Sequence, residues 1–131
     1  MCQLTKQEII AKENITCFKF VRKYGKGYES LVFCARYQIG QTYSSEIKSV
    51  LDHHGNLITS KGIHSFQHLP SKPYLGVILQ CEIPKGSNVL IGHEESNPDR
   101  ETYVSNKIRI VRELSTEEMI NYVLYNRKGT C

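Results

Sequence analysis

The chain has 131 residues, of which 40% are apolar and 23% charged, and a formal net charge of +4. That length suits one domain over residues 1–131, with enough apolar content to bury a core and too much for a disordered chain. The positive excess is smaller than a dedicated nucleic-acid binder carries, and no apolar run nears the about 18 residues that read as a membrane-spanning helix.

The five cysteines, Cys2, Cys17, Cys34, Cys81 and Cys131, are odd in number and form no C-x-x-C pair. The opening MCQLTKQEII lacks the basic-then-apolar run of a signal peptide. Both features predict free thiols in a reducing compartment. Cys17, Cys34 and Cys81 lie in strand-like runs and read as small core residues.

Thr5-Lys6-Gln7-Glu8 has the pattern of a capping box, with Leu4 and Ile9 placed as a hydrophobic staple. It predicts a short helix over residues 6–13. Thr16 to Arg22 alternates as a strand, with Phe18 and Phe20 spaced as core residues and Cys17, Lys19 and Val21 on the other face. Gly25 and Gly27 mark a turn, and Ser30 to Cys34 completes a hairpin. Tyr37 to Tyr43 is a short strand broken at Gly40. Ile47 to Leu51 and Leu57 to Thr59 pair antiparallel across the polar turn Asp52–Asn56. Within Leu57 to Leu69 a strand runs into a tight bend at Gly62, displaying His64, and Pro70 ends the segment. Tyr74 to Ile83 is the strongest apolar run and predicts a buried central strand. Val89 to Ile91 is a short strand, His93 to Glu101 an acidic loop, and Thr102 to Leu114 a long strand. Ser115-Thr116-Glu117-Glu118 is a second capping box. The stripe Met119, Ile120, Val123 and Leu124 predicts a C-terminal helix that packs on the sheet. The expected fold is α+β: a mainly antiparallel or mixed sheet of six to eight strands, with a short N-terminal helix and a C-terminal helix packed on it.

Lys19, Arg22, Lys23 and Lys26 interleave with Phe18, Phe20, Tyr24 and Tyr28. Cations among aromatics on a sheet hold phosphates and stack bases. With the two phenylalanines in the core, the binding candidates are Lys19, Lys23, Tyr24, Lys26 and Tyr28. Gly25-Lys26-Gly27 lacks the spacing of a phosphate loop, so a hairpin turn explains it. His64 and His68 stand four apart, as metal ligands do on a helix, but Gly62 breaks any helix there. A third ligand would have to come through the fold from His53, His54, His93 or Cys81. These two histidines are the metal candidates, and no cofactor is expected. An acid–base pair would join His64 to Glu113 or Glu82. A histidine at such a bend more often bonds to backbone.

Three segments carry a resemblance: Tyr37-x-x-Gly40-x-x-Tyr43, Ser60-x-Gly62-Ile63-His64, and the run Ile108 to Leu114, IRIVREL. In them the chain resembles a small domain of unknown function found in bacteriophages, bacteria and large DNA viruses. It is similar in size to uncharacterised proteins of the marseillevirus type. The likeness covers about residues 17–118 in outline. It departs at Ile63, where the family often has Phe, and at Phe66, where a Cys is common. It implies a viral protein in the host cell interior (cytoplasm or nucleus) or in the virion, not secreted, and it brings no activity.

The expected function is a non-enzymatic viral accessory or interaction module. It would present the basic and aromatic hairpin, together with the bend at His64, to a protein partner or an anionic polymer. One alternative is a nucleic-acid-binding protein that uses the Lys19–Tyr28 hairpin. Another is a small enzyme or nucleotide-binding domain with a pocket at His64. No membrane partner is expected, and a Tyr-rich basic surface also suits a homodimer.

Overall fold

A two-residue alternation runs through most of the chain, and strands dominate the structure. The computed structural model describes residues 2–30, 35–69 and 76–129. In chain order these form β1 (Gln3–Ile10), β2 (Ile15–Tyr24), β3 (Gly27–Ser30), β4 (Arg36–Tyr37), β5 (Thr42–Ser44), β6 (Lys48–Leu51), β7 (Leu57–Lys61), β8 (Ile63–Phe66), β9 (Val77–Ile83), β10 (Asn88–Glu94), β11 (Asn97–Ser105), β12 (Lys107–Glu113) and one helix, α1 (Thr116–Gly129). The pairings are antiparallel. They build one sheet in the order β5-β12-β9-β2-β8-β11-β10-β1-β7-β6, with β3 and β4 added beside the far end of β2.

Chain connectivity forces this sheet to roll. Gly62 alone joins β7 to β8, yet β1, β10 and β11 lie between them in the sheet. Asn106 alone joins β11 to β12, with β8, β2 and β9 between. Four strand spacings would separate such neighbours by about 19 Å in a flat sheet. A single linking residue spans at most about 7 Å. The sheet therefore turns two corners, and β8 and β11 belong to both rolls. Gly62 makes its corner at φ +141°, and a Cβ there would sit 2.4 Å from Cγ1 of Val104. Glycine is the residue that fits both conditions.

One roll encloses the apolar core. Cys17 and Val21 of β2, Leu79, Cys81 and Ile83 of β9, and Ile108 and Ile110 of β12 meet there, all fully buried. The other roll holds a polar network. Gln3 Nε2 donates to the carbonyl oxygens of Leu90 and Thr102 at 3.0 Å each. The Thr5 hydroxyl donates to Gln3 Oε1 at 2.9 Å and lies 2.7 Å from Thr59 Oγ1. Because these groups satisfy one another, burying them fixes the register of β1 against β7 and β10 without orphaned donors.

The expected α+β fold is corrected at three points. Residues 6–13 do not form a helix, because Thr5 to Ile10 lie in β1, where Glu8 opposes Leu90. The Thr5 hydroxyl serves the polar network and so is not available as a cap. Among the described residues the strands number twelve, not six to eight, because long runs break and presumed loops pair: Thr102 to Leu114 divides at Asn106, and the acidic loop is mostly β11. The C-terminal helix does form, and its capping box closes. Glu118 N donates to Ser115 Oγ at 3.1 Å, and Ser115 N to Glu118 Oε1 at 3.0 Å. Arg112 forks onto the same carboxylate at 2.6 and 2.7 Å and, with Ser115, holds it down at about 2. But Ile120 and Leu124 stand about half exposed, so the stripe is not the packed face expected. Residues 31–34 of the expected second strand, 74–75 of the central strand, Pro70, Cys131 and the Val123 side chain lie outside what is described. Among the described residues, no helix is long and apolar enough to cross a membrane.

Candidate functional site

β2 sets Lys19 and its two phenylalanines the opposite way round from expectation, while Cys17 is the core residue expected. Cys17, Lys19 and Val21 face the core and are buried, while Phe18 and Phe20 are half-buried on the other face. There Phe20 stacks on Phe66, with centroids 4.4 Å apart and planes 14° from parallel. A strand flips as a unit because its period is two. Cys17 opposes Cys81 and Lys19 opposes Leu79, so the lysine goes inward with its apolar neighbours.

Lys19 is consequently an interior cation. β2 and β8 share one bridged pair, Phe18 with Phe66. Beside it, Lys19 Nζ donates to the His64 carbonyl at 2.5 Å and lies 5.1 Å from the centre of the Tyr37 ring. Tyr43 meets Tyr37 edge-on at 5.1 Å, and its hydroxyl accepts from Gln38 N at 2.7 Å. Burial pushes the Lys19 amine below its usual range. It pushes the Cys17 thiol up to about 11, the Tyr37 phenol up to about 12, and the Cys81 thiol upward as well. Thiols so buried and so protonated are inert. The His64 carbonyl and the Tyr37 ring thus meet at one lysine, with Tyr43 packed behind Tyr37.

His64 and its expected partners do not converge. The His64 ring is part-buried, Nδ1 lies 3.3 Å from the Gly62 carbonyl, and Nε2 is buried without a hydrogen-bond partner among the described residues. Burial pushes this imidazole below its usual range, which keeps it neutral at pH 7. His68 is exposed, with Nε2 3.7 Å from Glu101. The Glu113 carboxylate accepts from the Tyr28 hydroxyl at 3.0 Å and sits 3.7 Å from Lys23, and Glu82 sits 3.6 Å from Arg109. Among the described residues, no three His, Cys, Asp or Glu side chains are grouped to hold a metal. An open cleft of about 560 Å³ lies elsewhere, lined by Glu8, Glu46, Leu57, Leu90 and Asn106 among others, and neither His64 nor the hairpin borders it.

The other binding candidates do share one surface, the tip of the β2–β3 hairpin. β2 leaves the β9 ladder at Val21 and runs on paired to β3 as far as Tyr24 with Gly27. Gly25-Lys26 closes the turn, and Gly25 supplies the φ of +56° that such a tight hairpin takes. Tyr24 is 48% exposed. The Arg36 guanidinium lies 4.1 Å over its ring and donates to its hydroxyl at 2.9 Å. Arg22 forks onto Glu29. Lys26 is exposed and makes no ion pair among the described residues. Four cations (Arg22, Lys23, Lys26 and Arg36) face two carboxylates (Glu29 and Glu113), leaving the tip positive. Arg36 escaped the sequence reading, since its place is set by pairing of β4 to β3, Arg36 opposite Glu29. No local pattern announces that.

Fold and surface together define a small antiparallel β protein with a basic, aromatic hairpin tip. No family model matches the chain, and no curated protein or solved structure matches it.

Proposed function

We propose that this protein is a non-enzymatic binding module that offers the β2–β3 hairpin tip to an anionic partner. The observation that carries the reading is the exposed Tyr24–Arg36 stack, flanked by Lys23 and by Lys26, which makes no ion pair among the described residues. Charge at such a tip steers an anion in, and a rigid aromatic anchors it. Lys19 is no part of this contact, and Tyr28 serves it by bonding to Glu113 at the base. The viral setting that the resemblance implies belongs to the same proposal.

The stack also favours a second reading, a single-stranded nucleic acid as the anion. A base can lie on a Tyr–Arg platform while Lys23 and Lys26 take phosphates. Fluorescence anisotropy with labelled single-stranded and duplex oligonucleotides and with a poly-glutamate peptide, at low and physiological salt, tests both. Binding that weakens steeply with salt and is lost in Lys23→Glu/Lys26→Glu is the expected result. Flat traces with every probe overturn the proposal. Binding of the peptide alone removes the second reading.

A further inference from the structure

We propose that β6 is a dimer interface, on which a second copy of this chain pairs its own β6 antiparallel, with the two-fold axis at Val50. β6 ends the strand order and, among the described strands, pairs with β7 alone. Asp52 N donates to the Asn56 carbonyl at 2.9 Å, which fixes the phase of this ladder. Val50 exchanges its backbone bonds with Ile58, and the N–H and C=O of Ser49 and Leu51 point away from β7. Among the described residues nothing meets those outward groups. Val50 and Leu51 are 64% and 72% exposed. An open apolar edge of this kind takes up another strand.

Charge selects the occupant and its register. Outward-bonding residues must face one another, so self-pairing registers differ by steps of two. With the axis at Val50, Lys48 faces Asp52 of the partner subunit, and the same pair recurs across the axis. Val50 then faces its own copy at a close, non-hydrogen-bonded position, and Ser49 exchanges bonds with the partner's Leu51. Moving the axis to Ser49 sets Glu46 against the partner's Asp52, carboxylate on carboxylate. Moving it to Leu51 sets Asp52 against the partner's Val50. One register is complementary and the other two are not. Lys48 is exposed and lies 3.9 Å from Glu46, a loose pairing that leaves it able to turn outward. Asp52 is ionised, because the backbone N–H groups of Asn56 and His54 hold its carboxyl below the usual range. A pairing this short buries well under the about 1,200 Å² of a standard interface, so the dimer is weak. It stands on β6 alone, whether or not the hairpin tip binds an anion.

Sedimentation velocity from about 10 μM to about 1 mM, the span over which so small an interface saturates, reads the result directly. Wild type is expected to pass from monomer to dimer across that range. Lys48→Asp alters an exposed side chain and sets like charges together, raising the dissociation constant at least about tenfold. Adding Asp52→Lys to it reverses both charges and restores the dimer. Leu51→Pro removes an outward N–H that β7 does not use and yields monomer. A monomer at every concentration overturns the proposal, as does a dimer that Lys48→Asp and Leu51→Pro leave unchanged. A folded double variant that stays monomeric overturns the register.

Discussion

Lys19 and Lys26 belong to one hairpin, and each has a tyrosine and a glycine for company, but the two regions do opposite work. At the interior, Lys19 bonds the His64 carbonyl under the Tyr37 ring, next to the Gly62 corner. At the tip, Lys26 and Gly25 make an open turn beside the exposed Tyr24, and a Cβ on Gly25 would meet nothing within 4 Å. Residue type is therefore a poor guide to role here. What decides is the side of the sheet on which two-residue periodicity leaves each group.

The largest expected effect that separates the regions is on stability. Lys19→Ala removes a buried stem and the donor to a part-buried carbonyl, at a cost of about 2–4 kcal/mol, whereas Lys26→Ala stays within about 0.5 kcal/mol. Urea unfolding of the two variants measures the gap, and equal midpoints would erase the distinction. Gly62→Ala follows at about 2–4 kcal/mol, from the clash with Val104 and the positive φ together. Gly25→Ala, with φ alone against it, costs about 1–2 kcal/mol. If the two alanines prove equally costly, the corner is not the tight point described.

Alkaline titration sharpens the contrast further. The folded pKa of Lys19 is depressed, so between that value and its ordinary one the unfolded chain holds more protons, and this group adds stability as pH rises. Cys17 and Tyr37 act the other way. Their folded values, about 11 and about 12, lie above the unfolded 9.0 and 10.0, so their contribution is lost as pH climbs through those windows. Wild type should lose stability above about pH 9, and Lys19→Met should lose it more steeply because the opposing group is gone. Lys26→Met should trace the wild-type curve. Thermal midpoints from pH 8 to pH 11 read this, and superimposable curves for wild type and Lys19→Met would remove the interior cation from the account. The smallest effect belongs to the tip: Tyr24→Ala should weaken polyanion binding by about 1–2 kcal/mol with the urea midpoint unchanged. A lowered midpoint would make Tyr24 a structural residue instead.

The strands were legible where alternation met turn chemistry. The turn over Gly25, the β6–β7 pair across Asp52–Asn56, the bend at Gly62 and the central run ending at Ile83 stand as the residues imply, although the return strand of the first hairpin is Gly27–Ser30 and not the run from Ser30. The faces of β2 were not legible. Two phenylalanines against one lysine name the wrong side as the core, because Tyr37 and a carbonyl accommodate the amine and let Cys17, Lys19 and Val21 face inward. The two capping boxes show the same limit. Thr5-Lys6-Gln7-Glu8 and Ser115-Thr116-Glu117-Glu118 share a local pattern, and the one whose hydroxyl bonds Gln3 beside it and Thr59 on β7 became β1. Of the site, Lys23, Tyr24, Lys26 and Tyr28 were visible as a basic, aromatic run. Arg36 and the tether through Glu113 arrive by long-range pairing, which spacing does not encode.

One measurement tests the division of labour most directly: polyanion binding followed by anisotropy for wild type, Lys19→Met and Lys23→Glu/Lys26→Glu, at low and physiological salt. The account predicts that wild type and folded Lys19→Met bind alike, with the same salt dependence, and that the charge-reversed tip does not bind. Wild type that binds no polyanion, or a charge-reversed tip that binds as tightly as wild type, would contradict it.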